Sequence, residues 1–233
     1  MDLPLLGRGR TADVYDLGDG RVLRRYREPR AQLVQREVTA MRALRAAGAP
    51  VPQVFEATDT DIVMEKVRGR AMLDELKVRP WRAGRLGRQL GEMHLAVLQV
   101  VTEPLDLPVA ADGSTVLHLD YHPGNVMVDG AGAMVIDWTN AGLGPAGLDV
   151  AMTWMLMATS DVDDVPRLLR PFVRRLRARI VEEYLAATRA VDPLPYVREA
   201  CRRRLEDPET RPEEKVRVRA FEAATAPAPG APA

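Results

Sequence analysis

Four residue types suited to chemistry stand within one short stretch, His118-Leu119-Asp120-Tyr121-His122-Pro123-Gly124-Asn125, and a further aspartate closes Val135-Ile136-Asp137-Trp138. An aspartate, four residues, an asparagine and then a second aspartate at a strand end is the arrangement phosphoryl transfer needs. One carboxylate, Asp120, orients the attacking hydroxyl, and two oxygen ligands, Asn125 and Asp137, hold Mg²⁺ on nucleotide phosphates.

The elements that must position them are legible nearby. Val126-Met127-Val128 and Met134-Val135-Ile136 are β-prone runs, and Asp129-Gly130 with Gly132 supply the positive φ angles of a tight hairpin. Asn125 then opens one strand and Asp137 ends its partner. In an antiparallel pair these positions lie side by side, so their oxygens can converge on one hard cation.

The N-terminal third reads as a sheet with one helix. Leu5-Leu6-Gly7-Arg8-Gly9 to Tyr15 is a strand, glycine turn and strand, in which Gly7 and Gly9 let the backbone bring N–H groups close to phosphate. Asp19-Gly20 turns the chain into Arg21 to Tyr26, where Val22 and Arg24 share one strand face. From Arg30 to Ala47 the spacing of Leu33, Val34, Val38, Met41 and Leu44 is helical, with Gly48 as the stop. Glu37 falls inside that apolar stripe, so its carboxylate requires a cation. Strands follow over Gln53 to Thr58 and Asp61 to Val67.

Beyond Gly69 the pattern is mostly helical, over Met72 to Val101 and again from Ala151. His94 reads as a packed core residue, and the methionines at 152, 155 and 157 as core helix. Asp161, Asp163 and Asp164 before Pro166 form a helix-start signature, alternatively a surface for a cationic acceptor. In the helix that follows, Arg167, Arg170, Arg174 and Arg177 share a solvated face. Leu168, Leu169, Phe172, Val173, Leu176 and Ile180 share an apolar one. From residue 222 an Ala-Pro-rich tail is expected to be disordered.

Composition narrows the classes. The chain has 233 residues, 46% of them hydrophobic, enough for two lobes around a cleft. Its net charge is +0, and all but three of its 33 basic residues are arginine, which reads as coding bias; no field favours nucleic acid or an anionic membrane. A single cysteine, Cys201, excludes an internal disulfide, and no apolar run approaches a membrane span. With no secretory pattern at Met1-Asp2-Leu3-Pro4, a cytoplasmic location is expected.

The segment from His118 to Asn125, Val135-Ile136-Asp137-Trp138, Gly142-Leu143-Gly144 and Leu148-Asp149-Val150-Ala151 together resemble the aminoglycoside phosphotransferase and choline kinase-like family, a branch of the protein-kinase-like fold. The similarity runs from about residue 4 to about residue 190. It implies an α+β bilobal fold: a small antiparallel N-lobe over 1–67, a mostly helical C-lobe over 68–221 and the tail over 222–233. It also implies that Arg24 stands where such kinases carry lysine, held by Glu37, and that backbone groups of Glu65 and Val67 meet the adenine. His118 would brace the catalytic loop, and Asp149 would accept backbone N–H bonds from it. The stretch before the catalytic strand is short where antibiotic-modifying members carry extra helices, which weighs against an aminoglycoside acceptor. The implied activity is transfer of a phosphate from ATP or GTP, with Mg²⁺, to the hydroxyl of a small molecule. A non-catalytic nucleotide-binding module and a protein-directed kinase are the alternatives, and oligomeric state is not legible.

Overall fold

The computed structural model describes residues 3–9, 11–100, 103–129, 132–160 and 165–226. Its first third is a five-stranded antiparallel sheet of β1 (Leu5–Arg8), β2 (Ala12–Gly18), β3 (Arg21–Tyr26), β4 (Val54–Ala57) and β5 (Asp61–Glu65), in the order β1-β2-β3-β5-β4. Between β3 and β4 runs α1 (Ala31–Ala46), which buries Val34, Val38, Met41 and Leu44. Gly48 ends it at φ +87°, a left-handed conformation that glycine adopts without steric cost.

The remainder is mainly helical. A short strand β6 (Arg70–Ala71) leads into α2 (Met72–Val78) and α3 (Ala83–Leu98). The single helical run expected from Met72 is therefore two helices, because Pro80 lacks the N–H that a continuous helix would use and opens a 3₁₀ turn at Pro80–Arg82. Next come β7 (Thr115–Leu117), β8 (Val126–Val128), β9 (Ala133–Val135) and β10 (Gly142–Gly144). Strands β6, β8 and β9 form one small sheet, and β7 pairs with β10. Four helices finish the chain: α4 (Ala146–Thr159), α5 (Arg170–Ala187), α6 (Val197–Glu206) and α7 (Pro212–Thr225).

Two glycines one helical turn apart set the closest helix packing. A Cβ on Gly87 would lie 2.6 Å from the Ile180 carbonyl oxygen, and one on Gly91 would lie 2.8 Å from that of Tyr184. Their absence lets α3 lie against the backbone of α5. This brings His94, on the same α3 face, to Tyr184.

Two expectations need correction. Helix α5 begins at Arg170, and Leu168, Leu169 and Phe172 are 94%, 53% and 53% exposed instead of lying on a buried face. Only from Ile180 onward, where α3 covers the helix, is the apolar stripe buried. Residues 222–225, expected to open the tail, are the last turn of α7, anchored where Phe221 meets Trp154 edge-on at 5.3 Å. Asp161, Asp163 and Asp164 lie outside the described residues, as do Arg10, Gly130 and residues 227–233. No helix among the described residues is long and apolar enough to cross a membrane.

Candidate active site

The site is built on the loop between β7 and β8. Its backbone is fastened from beneath by Asp149, fully buried in the first turn of α4. Asp149 Oδ2 accepts the His118 N–H at 2.6 Å, and Oδ1 accepts the Leu119 N–H at 2.7 Å. His94 Nε2 lies 3.2 Å from Oδ2, while its Nδ1 lies 2.7 Å from the Tyr184 hydroxyl. A carboxylate only accepts, so Nε2 carries the hydrogen and Nδ1 accepts from Tyr184 when the ring is neutral. Burial pushes the Asp149 carboxyl up, but the hydrogen bonds and charges of His94 and His118 outweigh that and hold it below its ordinary range.

His118 ties the two acidic positions together. Its Nδ1 accepts the Asp120 N–H at 3.3 Å, and its Nε2 donates to the Ile136 carbonyl at 3.0 Å, one residue before Asp137. Asn125 makes a second tie: Nδ2 donates to the Asp120 carbonyl at 3.0 Å, and its own carbonyl accepts the Ile136 N–H at 2.9 Å. Val126 pairs with Val135 in β8 and β9, so Asn125 lies opposite Ile136 and diagonal to Asp137. Asp137 itself sits at φ +64°, a strained conformation for a non-glycine residue that turns its side chain out of the strand path.

Arg24 reaches this group from the sheet. Its Nη2 donates to Asp137 Oδ1 at 2.7 Å and to Thr139 Oγ1 at 3.0 Å, and its Nε lies 3.2 Å from Glu37 Oε2 without hydrogen-bond alignment. Glu37 is 0% exposed and accepts the Tyr26 hydroxyl at 2.7 Å. Burial raises the Glu37 carboxyl despite Arg24. Asp137 shows the opposite outcome: burial would raise it, but the Arg24 charge and the Thr139 and Arg24 hydrogen bonds hold it low. Tyr26 and Thr139 are site members that sequence reasoning missed. The period of two that places Arg24 on the inner face of β3 also places Tyr26 there, and this signal was available.

The other expected residues lie around this centre. Gly7 is on exposed β1, and Gly9 donates its N–H to the Ala12 carbonyl at 2.8 Å to close the glycine turn. The Glu65 N–H goes to Gln53 at 2.8 Å and its carboxylate faces Arg45 at 3.4 Å, whereas the half-buried Val67 N–H has no backbone partner among the described residues. His122 Nε2 is 4.0 Å from Asp120 Oδ2, and burial holds the His122 ring below its usual pKa.

Asn125 Oδ1 and Asp137 Oδ2 have no protein partner among the described residues. Two free hard oxygens, one of them on a carboxylate held ionised, suit a divalent cation such as Mg²⁺. No group of three His, Cys, Asp or Glu suited to a metal occurs among the described residues, so phosphate and water would supply the other ligands.

The model of the phosphotransferase enzyme family matches residues 2–105 and 95–194 in two overlapping segments. The chain belongs to that family. No curated protein sequence matches it. Among solved structures, the aminoglycoside phosphotransferase APH(4)-Ia is similar at a TM-score of 0.66 and 15% identity, over 97% of this chain and 94% of its own. The streptomycin–ATP–APH(2'')-IIa ternary complex is similar at 0.61 and 13%, over 97% and 92%. A choline/ethanolamine kinase family protein from Mesorhizobium loti is similar at 0.61 and 16%, over 95% and 88%. At such identities the likeness is one of fold, and that fold is the protein-kinase-like one expected from the sequence.

Proposed function

We propose that this chain is a Mg²⁺-dependent phosphotransferase that moves the γ-phosphate of ATP to a hydroxyl of a small molecule. The supporting observation is the double tie of Asp120 to the Asp137 hairpin, through Asn125 at 3.0 Å and through His118 at 3.3 Å and 3.0 Å. It presents one carboxylate for an acceptor hydroxyl beside two free oxygens for a metal.

In this reading Asp120 orients the hydroxyl and takes its proton as its oxygen bonds to the γ-phosphorus and the bond from that phosphorus to the departing ADP oxygen breaks. Asn125 Oδ1 and the Asp137 carboxylate hold the metal. The Mg²⁺ these two residues would hold would supply positive charge against the charge that develops on the transferring phosphate. Arg24, anchored by Glu37, exchanges its contact with Asp137 for the α- and β-phosphates, and residues from Gly7 to Ala12 cover them with backbone N–H groups. The 1–67 segment acts as the nucleotide lobe, with the Val67 N–H and backbone of Glu65 facing adenine, and 68–221 as the catalytic lobe. Catalysis comes from positioning and fixed charge.

The test is ADP release by the purified chain with Mg·ATP across a panel of hydroxylated compounds, beside Asp120→Ala. Stimulated release that disappears in the variant supports the reading. Nucleotide binding with no stimulated release by any compound would favour a binding module.

A further inference from the structure

The wall on which Asp120 opens carries a charge pattern that narrows the acceptor. A cavity of about 520 Å³ lies between the start of α1, the Thr139–Gly142 segment and the α6–α7 connection, and Asp120 and Thr11 both line it. Leu33, Met152, Leu156 and Leu119 give it an apolar flank. Arg30, Arg36, Arg203 and Arg204 are also among its lining residues.

These arginines are not equivalent. Arg203 pairs with Glu199 at 2.8 Å, and Arg204 with Glu214 at 2.6 Å and Asp207 at 3.1 Å. Among the described residues Arg30 has only a loose contact of 3.5 Å with the exposed Glu28. Arg36 has no ion pair among the described residues, and its Nε is shut off from solvent with no hydrogen-bond partner. The residue is otherwise half-buried, and its terminal nitrogens, which no protein acceptor takes among the described residues, are the part of the group free to receive an anion. Helix α1 adds to the field, because it opens beside the cavity with no acidic residue in its first turn and no side-chain cap. The acidic residues on the wall, among those described, do not cancel it. Asp207 is engaged by Arg204, Glu209 is exposed at the rim, and Asp120 is committed to the hydroxyl.

We propose that the acceptor is an anion: a hydroxyl-bearing carboxylic acid or phosphate monoester whose anionic group is received by Arg36, with Arg30 beside it, while its hydroxyl meets Asp120. Its carbon skeleton rests on the Leu33, Met152 and Leu156 flank. The assignment rests on the phosphotransferase reading. It excludes amino alcohols and polyamino sugars as preferred acceptors, because their ammonium groups would face an unpaired guanidinium.

Binding and turnover are measured separately, so that the two readings fail separately. Calorimetry on the full-length Asp120→Asn protein, saturated with Mg²⁺ and AMP-PNP, is run against 4-hydroxybutyrate, D-glycerate and glycerol 3-phosphate, and against ethanolamine, choline and kanamycin. Probes of the anionic set are expected to bind, and the carboxylate and phosphate arms identify which anion is taken. Arg36→Gln is expected to weaken that binding roughly ten- to hundredfold, with Arg36→Lys intermediate and nucleotide affinity and Tm unchanged. With Asp120 intact, Arg36→Gln should show the same loss in turnover as a raised KM for the acceptor. Anion binding that depends on Arg36 without turnover would keep the anion site and overturn the kinase reading. Preference for the cationic set, anion binding indifferent to Arg36→Gln, or no anion binding below 10 mM would overturn the proposal.

Discussion

Leu119 sits at φ +61° and donates its backbone N–H to Asp149 Oδ1 at 2.7 Å. A left-handed leucine costs on the order of 1 kcal/mol, so the residue before Asp120 keeps this conformation only because the buried carboxylate holds it. Asp149→Ala would strand the N–H groups of His118 and Leu119 and one ring nitrogen of His94. A loss of about 3 kcal/mol or more is expected in urea unfolding. A loss below about 1 kcal/mol would show that the loop holds itself.

The same carboxylate makes acid stability depend on it. Its pKa lies below the ordinary 3.8 in the folded chain, so its stabilisation is complete above that value. Below it, the unfolded chain takes up protons that the native state refuses, and stability falls with pH. In Asp149→Asn the Tm should fall less steeply between about pH 4 and about pH 2 than in the parent. Parallel Tm curves would remove Asp149 from the acid response.

Arg24 and Glu37 form a buried pair whose side chains are 10% and 1% exposed. Arg24→Met should cost about 3–5 kcal/mol, because it leaves the buried Glu37 carboxyl with the Tyr26 hydroxyl but without its cation. Arg24→Met with Glu37→Leu should recover most of that loss. A double-mutant cycle on denaturation midpoints measures the coupling. Additive losses would mean that the two groups do not depend on each other.

Asp120 and Asp137 should separate chemistry from binding. Asp120→Ala is expected to lower kcat by roughly 10²–10⁴-fold while sparing nucleotide affinity. Asp137→Ala is expected to raise the Kd of Mg·ATP about tenfold or more, read by calorimetry with and without the metal. Parental rates in both variants would dismiss the proposed site.

Gly87 and Gly7 make a contrasting pair. A Cβ on Gly87 would meet the Ile180 carbonyl oxygen and Cα at 2.6 Å and 2.9 Å, backbone atoms that cannot swing aside, whereas one on Gly7 meets nothing within 4 Å. Gly87→Ala should cost about 1–3 kcal/mol and Gly7→Ala less than about 0.5. Equal denaturation midpoints would mean that α5 yields to the added methyl.

The loop from His118 to Asn125 and its hairpin were legible from Asp120, Asn125 and Asp137 because they are close in sequence, and the strand period dictates which side chains fall together. The same local rules placed β3, α1 and the stop at Gly48. Pro80 was also readable, and the helix break there follows from its missing N–H. Contacts between distant segments were not readable. Arg24 meets Asp137 and Thr139 more than a hundred residues away, and His94 reaches Tyr184 through a packing of α3 on α5 that depends on the bare backbones of Gly87 and Gly91. The exposure of Leu168 and Phe172 and the isolation of Arg36 belong to the same class. An apolar or charged stripe states what a face prefers, but only the tertiary arrangement decides what covers it, because burial and ion pairing are properties of two surfaces and a local sequence describes one.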